Sequence, residues 1–322
     1  MERAEGMLIG LAIGDALGAP VEFGYSSEGI RNDWDEHMQD HRIPKGYYTD
    51  DTAMALCLAD SLIECGGYNS YDVMDRYTKW ATEGYRDSEG IPASDIGSQT
   101  RGAIDSYAVD PTVTLDAARG YSAGNGGIMR IAPAIIATAS KPIKQAISLA
   151  RISSRETHYS EEADAGAEVF GAMLWNALHL DDKKAVVDVS RYSSGEYFDD
   201  VLLRVDQTKN IESEPSLRDL GGYVIDAIKI AVWGFLNFDS FKLGMLAVIK
   251  LGGDTDTNAA IYGQLAGGYY GYDAIPEEWL TDLYMKDEIK NLAGKLYTMK
   301  SCDVIQTRFE EDSDGNFQEK HA

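Results

Sequence analysis

Apolar residues recur along the chain at helical spacings. Between Asp51 and Glu64, Met54, Leu58 and Leu62 fall at steps of four, and Gly66-Gly67 closes the run as a C-terminal cap does. After Tyr223, a second stripe of Val224, Ile228, Ala231 and Phe235 steps by four, three and four. A third helix is predicted from Asp256 to Leu265, with Ala259 and Ala260 inside it and Gly267-Gly268 at its end. Alternating strand patterns are scarce, no strand–helix–strand rhythm appears, and no solenoid period is visible. The pattern predicts an all-α fold, one helical domain over residues 1–300 with short glycine-rich connections such as "GNGG" from Gly124. Residues 301–322 are read as an acidic, partly disordered tail, because "EEDSDGNFQEKHA" is charged and nearly free of apolar side chains. The polar stretch from Gly24 to Gly46 is read as a mobile loop.

Composition narrows the function. The chain has 322 residues, 44% of them hydrophobic, enough for a large core. Its net charge of −24 argues against non-specific nucleic-acid binding and against docking on anionic membranes. The three cysteines, Cys57, Cys65 and Cys302, are odd in number and lack zinc spacing, which points to a reducing, cytoplasmic compartment. The opening "MERAEGMLIGLAIGDALG" lacks signal-peptide shape because Asp15 interrupts it, and no apolar run reads as long enough to span a bilayer.

The chemistry concentrates in two places. "YYTDDTAMAL" sets Thr49, Asp50, Asp51 and Thr52 before one apolar helix, and "LGGDTDTNAA" sets Asp254, Thr255, Asp256 and Thr257 before another. Helix capping needs one such side chain, not three or four. Crowded carboxylates repel by about 1 kcal/mol per contacting pair in water, and by more when buried. A divalent cation removes that cost, and oxygen donors without Cys or His suit Mg²⁺, Mn²⁺ or Ca²⁺. An EF-hand fails: the loop from Asp254 carries Ala259 in the sixth place and Leu265 in the twelfth. The chain has no G-x-x-x-x-G-K-[ST], and "GNGGIM" lacks the third glycine of a dinucleotide fingerprint. The remaining metal reading joins the two helix starts across a bundle.

Six motifs then converge. "GLAIGDALGAPVEF", "YTDDTAMAL", "DIGSQTRGAI", "GNGGIMRIAP", "SSRETH" and "GGDTDTNAAIYGQLAGGYYG" occur in that order over roughly residues 5–300. Together they resemble the ADP-ribosylglycohydrolases, especially the bacterial branch typified by dinitrogenase-reductase-activating glycohydrolase. The resemblance implies an all-α bundle with two divalent cations, Mg²⁺ or Mn²⁺, in a cleft, and cleavage of the glycosidic bond between ADP-ribose and a modified side chain. It implies Thr49, Asp50 and Asp51 as one ligand cluster and Asp254, Asp256 and Thr257 as the other, with Asp256 bridging. Glu22 of "GAPVEF" matches a glutamate beside the metals that moves with its loop. Asp95 of "SDIG" matches an aspartate beside the scissile ribose, although Ser94 stands where relatives carry an aromatic residue. Asp15 is read as support for the first helix.

The segment Gly124, Asn125, Gly126 and Gly127 matches the stretch along the diphosphate, where glycine lets backbone N–H groups approach phosphate closely. Ser122 and Asn125 are candidates for added side-chain bonds. Arg130 fits either a phosphate contact or a buried structural role. His158 matches a histidine near the distal ribose, and Tyr223 an adenine-stacking aromatic. Metals and backbone N–H groups then supply the positive potential that an acidic protein needs to bind ADP-ribose.

The implied substrate is an ADP-ribosylated protein or small molecule, with ADP-ribose released. Arginine is the favoured linkage. O-linked serine, a nucleobase or a small guanidine are alternatives, as are a structural descendant without activity and an unrelated metal-dependent phosphohydrolase.

Overall fold

The computed structural model describes residues 1–26, 29–30, 34–112, 123–208, 222–307, 309–311 and 317–319. The fold is all-α, as the apolar spacing predicts. Fourteen α-helices run through the described residues. The first seven are α1 (Glu2–Gly18), α2 (Asp50–Cys65), α3 (Ser70–Glu83), α4 (Ser98–Val109), α5 (Ala132–Ala137), α6 (Ile143–Arg155) and α7 (Glu161–His179). The rest are α8 (Lys183–Val187), α9 (Glu196–Asp206), α10 (Val224–Asn237), α11 (Phe241–Leu251), α12 (Thr255–Tyr270), α13 (Glu277–Asp282) and α14 (Lys286–Tyr297). Among the described residues, strands occur only as three short pairs. One of them lays Val304–Gln306 alongside Tyr68–Asn69, so the chain beyond residue 300 contributes an ordered strand to the domain.

The centre of the bundle is the pair α1 and α12. Gly6, Gly10, Gly14 and Gly18 form a stripe at steps of four along α1. They meet Gly267, Gly263, Ala259 and Thr255 in turn, so the helices run antiparallel with their backbones in contact. A Cβ at Gly10 or Gly14 would overlap the carbonyl oxygen of Gly263 or Ala259. This corrects the sequence reading of α12: Gly267-Gly268 lies inside the helix, which continues to Tyr270. Glycine usually weakens a helix interior by about 1 kcal/mol, but here the missing side chain admits the neighbouring backbone.

The membrane reading also needs correcting. Glu2–Val21 is 20 residues long with mean hydropathy 1.3, long and apolar enough to cross a bilayer by composition, yet 89% of its best window is buried among other helices. α1 is apolar all round because it is surrounded.

Four of the fourteen helix starts carry a side-chain cap bond, those of α3, α7, α8 and α11. Asn69 accepts from the N–H groups of Tyr71 and Asp72 at α3. Ser160 does so for Ala163 at α7, and Ser240 for Leu243 at α11. Gly66 and Gly84 end α2 and α3 in the left-handed region, with φ of 71° and 78°. The starts of α2 and α12 differ. Neither Thr49 nor Asp254 makes a side-chain cap bond, so capping does not account for their acidic clusters.

Candidate metal centre and active site

The close α1–α12 contact brings the end of one helix to the start of the other. Thr255 Oγ1 donates to the carbonyl of Gly18 at 2.8 Å. The chain leaves α1 through a single turn, Ala19–Val21, and reaches Glu22. Phe23 then turns back, its N–H donating to Gly253 O at 2.8 Å. That return holds Phe23 at a φ of 46°, an uncommon conformation for a bulky residue. The result is that Glu22, Asp254 and Asp256 each present a carboxylate oxygen within 4.8 Å of the other two.

The opposing cluster is held by a residue of α1. Asp15 is fully buried and accepts four hydrogen bonds at the start of α2. Thr49 donates to its Oδ1 from N (2.9 Å) and Oγ1 (2.8 Å), and Thr52 to its Oδ2 from N (2.9 Å) and Oγ1 (2.6 Å). Asp15 therefore supports the start of α2 rather than its own helix, and it satisfies the orphan N–H groups there in place of a local cap. Asp50 and Asp51 are thereby free to face the opposing acids. Asp15→Ala is expected to lower unfolding stability by about 2–3 kcal/mol, since it strands donors that bond a buried carboxylate. Denaturant titration checks this, and a loss below about 0.5 kcal/mol would contradict it.

The electrostatics of the centre fit an ion site. Burial pushes the carboxyls of Asp50, Asp51 and Asp256 well above the carboxylate range, and repulsion among these acids and their carboxylate neighbours adds to it. Burial, with Asp95 and Asp254 nearby, raises Glu22 to about 7. Asp51 Oδ1 is buried without a hydrogen-bond partner, a costly state unless something fills it. Oxygen donors, excess negative charge and an orphaned acceptor fit a hard divalent cation. Thr257 N donates to Asp256 Oδ1 at 2.9 Å and fixes that side chain.

The comparisons with known proteins follow this geometry. An ADP-ribosylglycohydrolase family model matches residues 1–303. The chain belongs to the ADP-ribosylglycohydrolase family. It is 32% identical over 308 residues to the ADP-ribosylarginine hydrolase Tri1 of Serratia proteamaculans (strain 568), covering 93% of this chain and 80% of that protein. It is 32% identical over 295 residues to the ADP-ribosyl-[dinitrogen reductase] glycohydrolase of Rhodospirillum rubrum, covering 89% and 92%. A solved structure titled "ADP-ribosylglycohydrolase-related protein complex" superposes with a TM-score of 0.76 at 36% identity, over 93% of this chain and 98% of that one. The resemblance carried by the motifs is thus correct, and the chain is a hydrolytic enzyme of this family.

Within this ADP-ribosylglycohydrolase, the glycine loop is built against a histidine. Asn125–Gly127 forms a tight turn that packs on α6 and the residues after it. A Cβ on Gly126 would sit 2.6 Å from His158 Cε1, and one on Gly127 would overlap Ser154 Oγ. These glycines are needed behind the loop, whatever they admit in front of it. His158 is 4% exposed, and burial beside Arg130 pushes it down to about 3, so it is a neutral imidazole. Its Nδ1 lies 2.8 Å from Thr157 Oγ1.

Arg130 is fully buried and bonds Tyr77 Oη, Gly126 O, Ser153 O and Thr157 Oγ1, which settles its role as structural. Asn125 donates from Nδ2 to Asp254 Oδ2 at 2.7 Å, so its amide orients a centre carboxylate. Tyr223 is half-buried at the start of α10, beside Gly124 through a backbone bridge. Its hydroxyl bonds Arg204 and Glu162, and Arg204 lies 5.5 Å from its ring centre. Ser122 lies outside the described residues.

Asp95 stands at the rim of the centre, its side chain 40% exposed and hydrogen-bonded to Arg42. Sequence reasoning passed over Arg42, which lies in the polar stretch after Gly24. It also did not foresee the bond from Asn125 to Asp254. The pairing of Arg42 with Asp95 spans 53 residues, and no local pattern announces it.

Proposed function

We propose that this chain is a metal-dependent hydrolase that cleaves the N-glycosidic bond of ADP-ribosyl-arginine on a protein and releases ADP-ribose, acting in the cytoplasm with two Mg²⁺ or Mn²⁺ ions. The convergence of Glu22, Asp254 and Asp256 opposite the buried Asp51 carries the metal reading. Asp51, Asp254 and Asp256, with Thr49, Asp50 and Thr257 around them, would hold the ions, which when bound supply Lewis-acid stabilisation and cancel the carboxylate charge. The three cysteines are unpaired, which supports a reducing compartment.

The names of the bacterial relatives, ADP-ribosylarginine hydrolase and ADP-ribosyl-[dinitrogen reductase] glycohydrolase, support the linkage. So does an exposed carboxylate, Asp95, that already receives a guanidinium. Water adds to C1″ of the ribose as the C–N bond breaks, and its electron pair leaves with the guanidine. Guanidine is strongly basic, so it departs as guanidinium only if it takes a proton. Glu22 and Asp95 both lie beside Arg42 at the edge of the centre, Glu22 to carry the proton and Asp95 to pair with the leaving cation. Their negative charge also stabilises the oxocarbenium-like sugar.

Incubation with arginine-, serine- and nucleobase-linked ADP-ribose, with and without EDTA, tests the whole reading. The expected result is release of ADP-ribose from the arginine conjugate, abolished by EDTA and restored by Mg²⁺ or Mn²⁺. Faster release from another linkage would overturn the linkage, AMP as product would overturn the reaction, and full activity after exhaustive chelation would overturn the metal.

A further inference from the structure

Arg42 is a basic side chain that reaches the acids at the edge of the centre. Its guanidinium is hydrogen-bonded to Asp95 and lies 4.0 Å from Glu22 Oε2. Among the described residues, no other Lys or Arg pairs with Glu22, Asp50, Asp51, Asp95, Asp254 or Asp256. Those two carboxylates are also its only ion-pair partners among the described residues. The cleft beside them is lined by Asp50, Trp80, Asp87, Glu89 and Asp95, and among the described residues Arg42 is the single cation in its wall.

The segment that carries Arg42 is fastened at its edges rather than at this residue. Trp279 Nε1 donates to Glu36 O at 3.3 Å, Tyr284 N donates to Gly46 O at 3.0 Å, and Lys45 pairs with Asp282 at 2.9 Å. Gly46, with φ of 80°, makes the turn by which the segment joins the start of α2.

A guanidinium is planar and donates in a fork that fits carboxylates, which a lysine or a neutral group does not reproduce. We propose that Arg42 is a built-in competitor for the leaving-group site: its guanidinium fills the place beside Asp95 and Glu22 that the guanidinium of a substrate arginine takes, and the substrate must displace it. The proposal rests on the arginine-linkage reading above. It adds a basis for selectivity. An arginine conjugate replaces one cation by another, so the carboxylates remain paired. A conjugate with a neutral leaving atom must break the Arg42 pair and supply nothing in return. If Arg42 holds the place in about 80–90% of molecules, the apparent affinity for the arginine conjugate is reduced about five- to tenfold.

Arg42→Ala and Arg42→Gln test this on the full chain with its metal. Both are expected to lower KM for ADP-ribosyl-arginine about five- to tenfold, with kcat within about twofold and the inhibition constant of ADP-ribose unchanged. Methylguanidinium should inhibit both variants more strongly than the parent by a similar factor. An unchanged KM, a loss of kcat with KM unchanged, or a parallel fall in the ADP-ribose constant would overturn the proposal. If the parent cleaves only another linkage, the linkage reading fails by itself. Methylguanidinium inhibition of that hydrolysis then decides: stronger in Arg42→Ala keeps the competitor, equal in both removes it. Arg42 is 44% exposed, so both variants should melt close to the parent, and a common melting temperature excludes a general structural effect.

Discussion

Asp256→Asn is expected to reduce turnover by about 10²–10³ while making the metal-free protein more stable. The two effects have one cause. Asp256 is buried, and its ionised form is opposed by burial and by Glu22, Asp254, Asp15 and Asp50. Asparagine keeps the shape and removes the charge, which relieves the metal-free fold and weakens its hold on a cation. The pH dependence follows with a definite sign. A carboxyl whose folded pKa is raised binds its proton more tightly folded than unfolded, so its favourable contribution is present at low pH and is lost as pH rises. The metal-free parent should therefore lose stability from the ordinary carboxyl values of 3.8–4.5 up to about 7, where Glu22 titrates, and further as Asp50, Asp51 and Asp256 ionise. Stabilisation by added Mg²⁺ or Mn²⁺ should grow across the same range, because the ion competes with protons. Melting temperatures from pH 5 to pH 8, with EDTA and with metal, read both trends. A flat metal-free profile, or a variant less stable than the parent in EDTA, would contradict the crowded-carboxylate account.

Gly10→Val is expected to destabilise the fold severely. A side chain there meets the backbone carbonyl of Gly263 rather than a flexible group, and neither helix can yield without dragging the start of α12 from Glu22. Overpacking of a core typically costs about 1–3 kcal/mol and occasionally more, and a backbone collision belongs at the upper end. Gly294→Ala is the matched control. It lies inside α14, and its nearest neighbour is Met1 Sδ at 3.9 Å. Helix preference alone should then stabilise the protein by about 0.5–1 kcal/mol. Chemical denaturation of the two variants is expected to shift in opposite directions. Similar small losses in both would mean that the α1–α12 contact is looser than its geometry states.

Much of this was legible in the residues. The stripes through Met54, Leu58 and Leu62 and through Val224, Ile228, Ala231 and Phe235 mark helices because one face must be apolar to be buried. The acidic clusters stood out because their oxygens exceed what a cap can use. What escaped was whatever depended on a partner far along the chain. Gly267-Gly268 reads as a helix end until Gly6 is known to lie against it. Nothing near Asn125 in the sequence announces its bond to Asp254, 129 residues later. Asp15 reads as local support, since its four donors come from a helix that begins 35 residues later. Arg42 sits in a polar stretch with no periodicity, and only the folded chain sets it against Asp95.

The pairing of α1 with α12 also fixes an order of events during synthesis. Gly18 and Thr255, which touch in the finished protein, are 237 residues apart. At about 5–20 residues per second, a ribosome needs roughly 10–50 s to make the second after the first. For that interval a helix apolar enough to pass for a membrane span is without the surface that buries it. Neither half of the carboxylate centre has its counterpart until α12 emerges. A nascent chain of this protein therefore has reason to engage a holding chaperone at its first helix, and to assemble its carboxylate centre late and all at once.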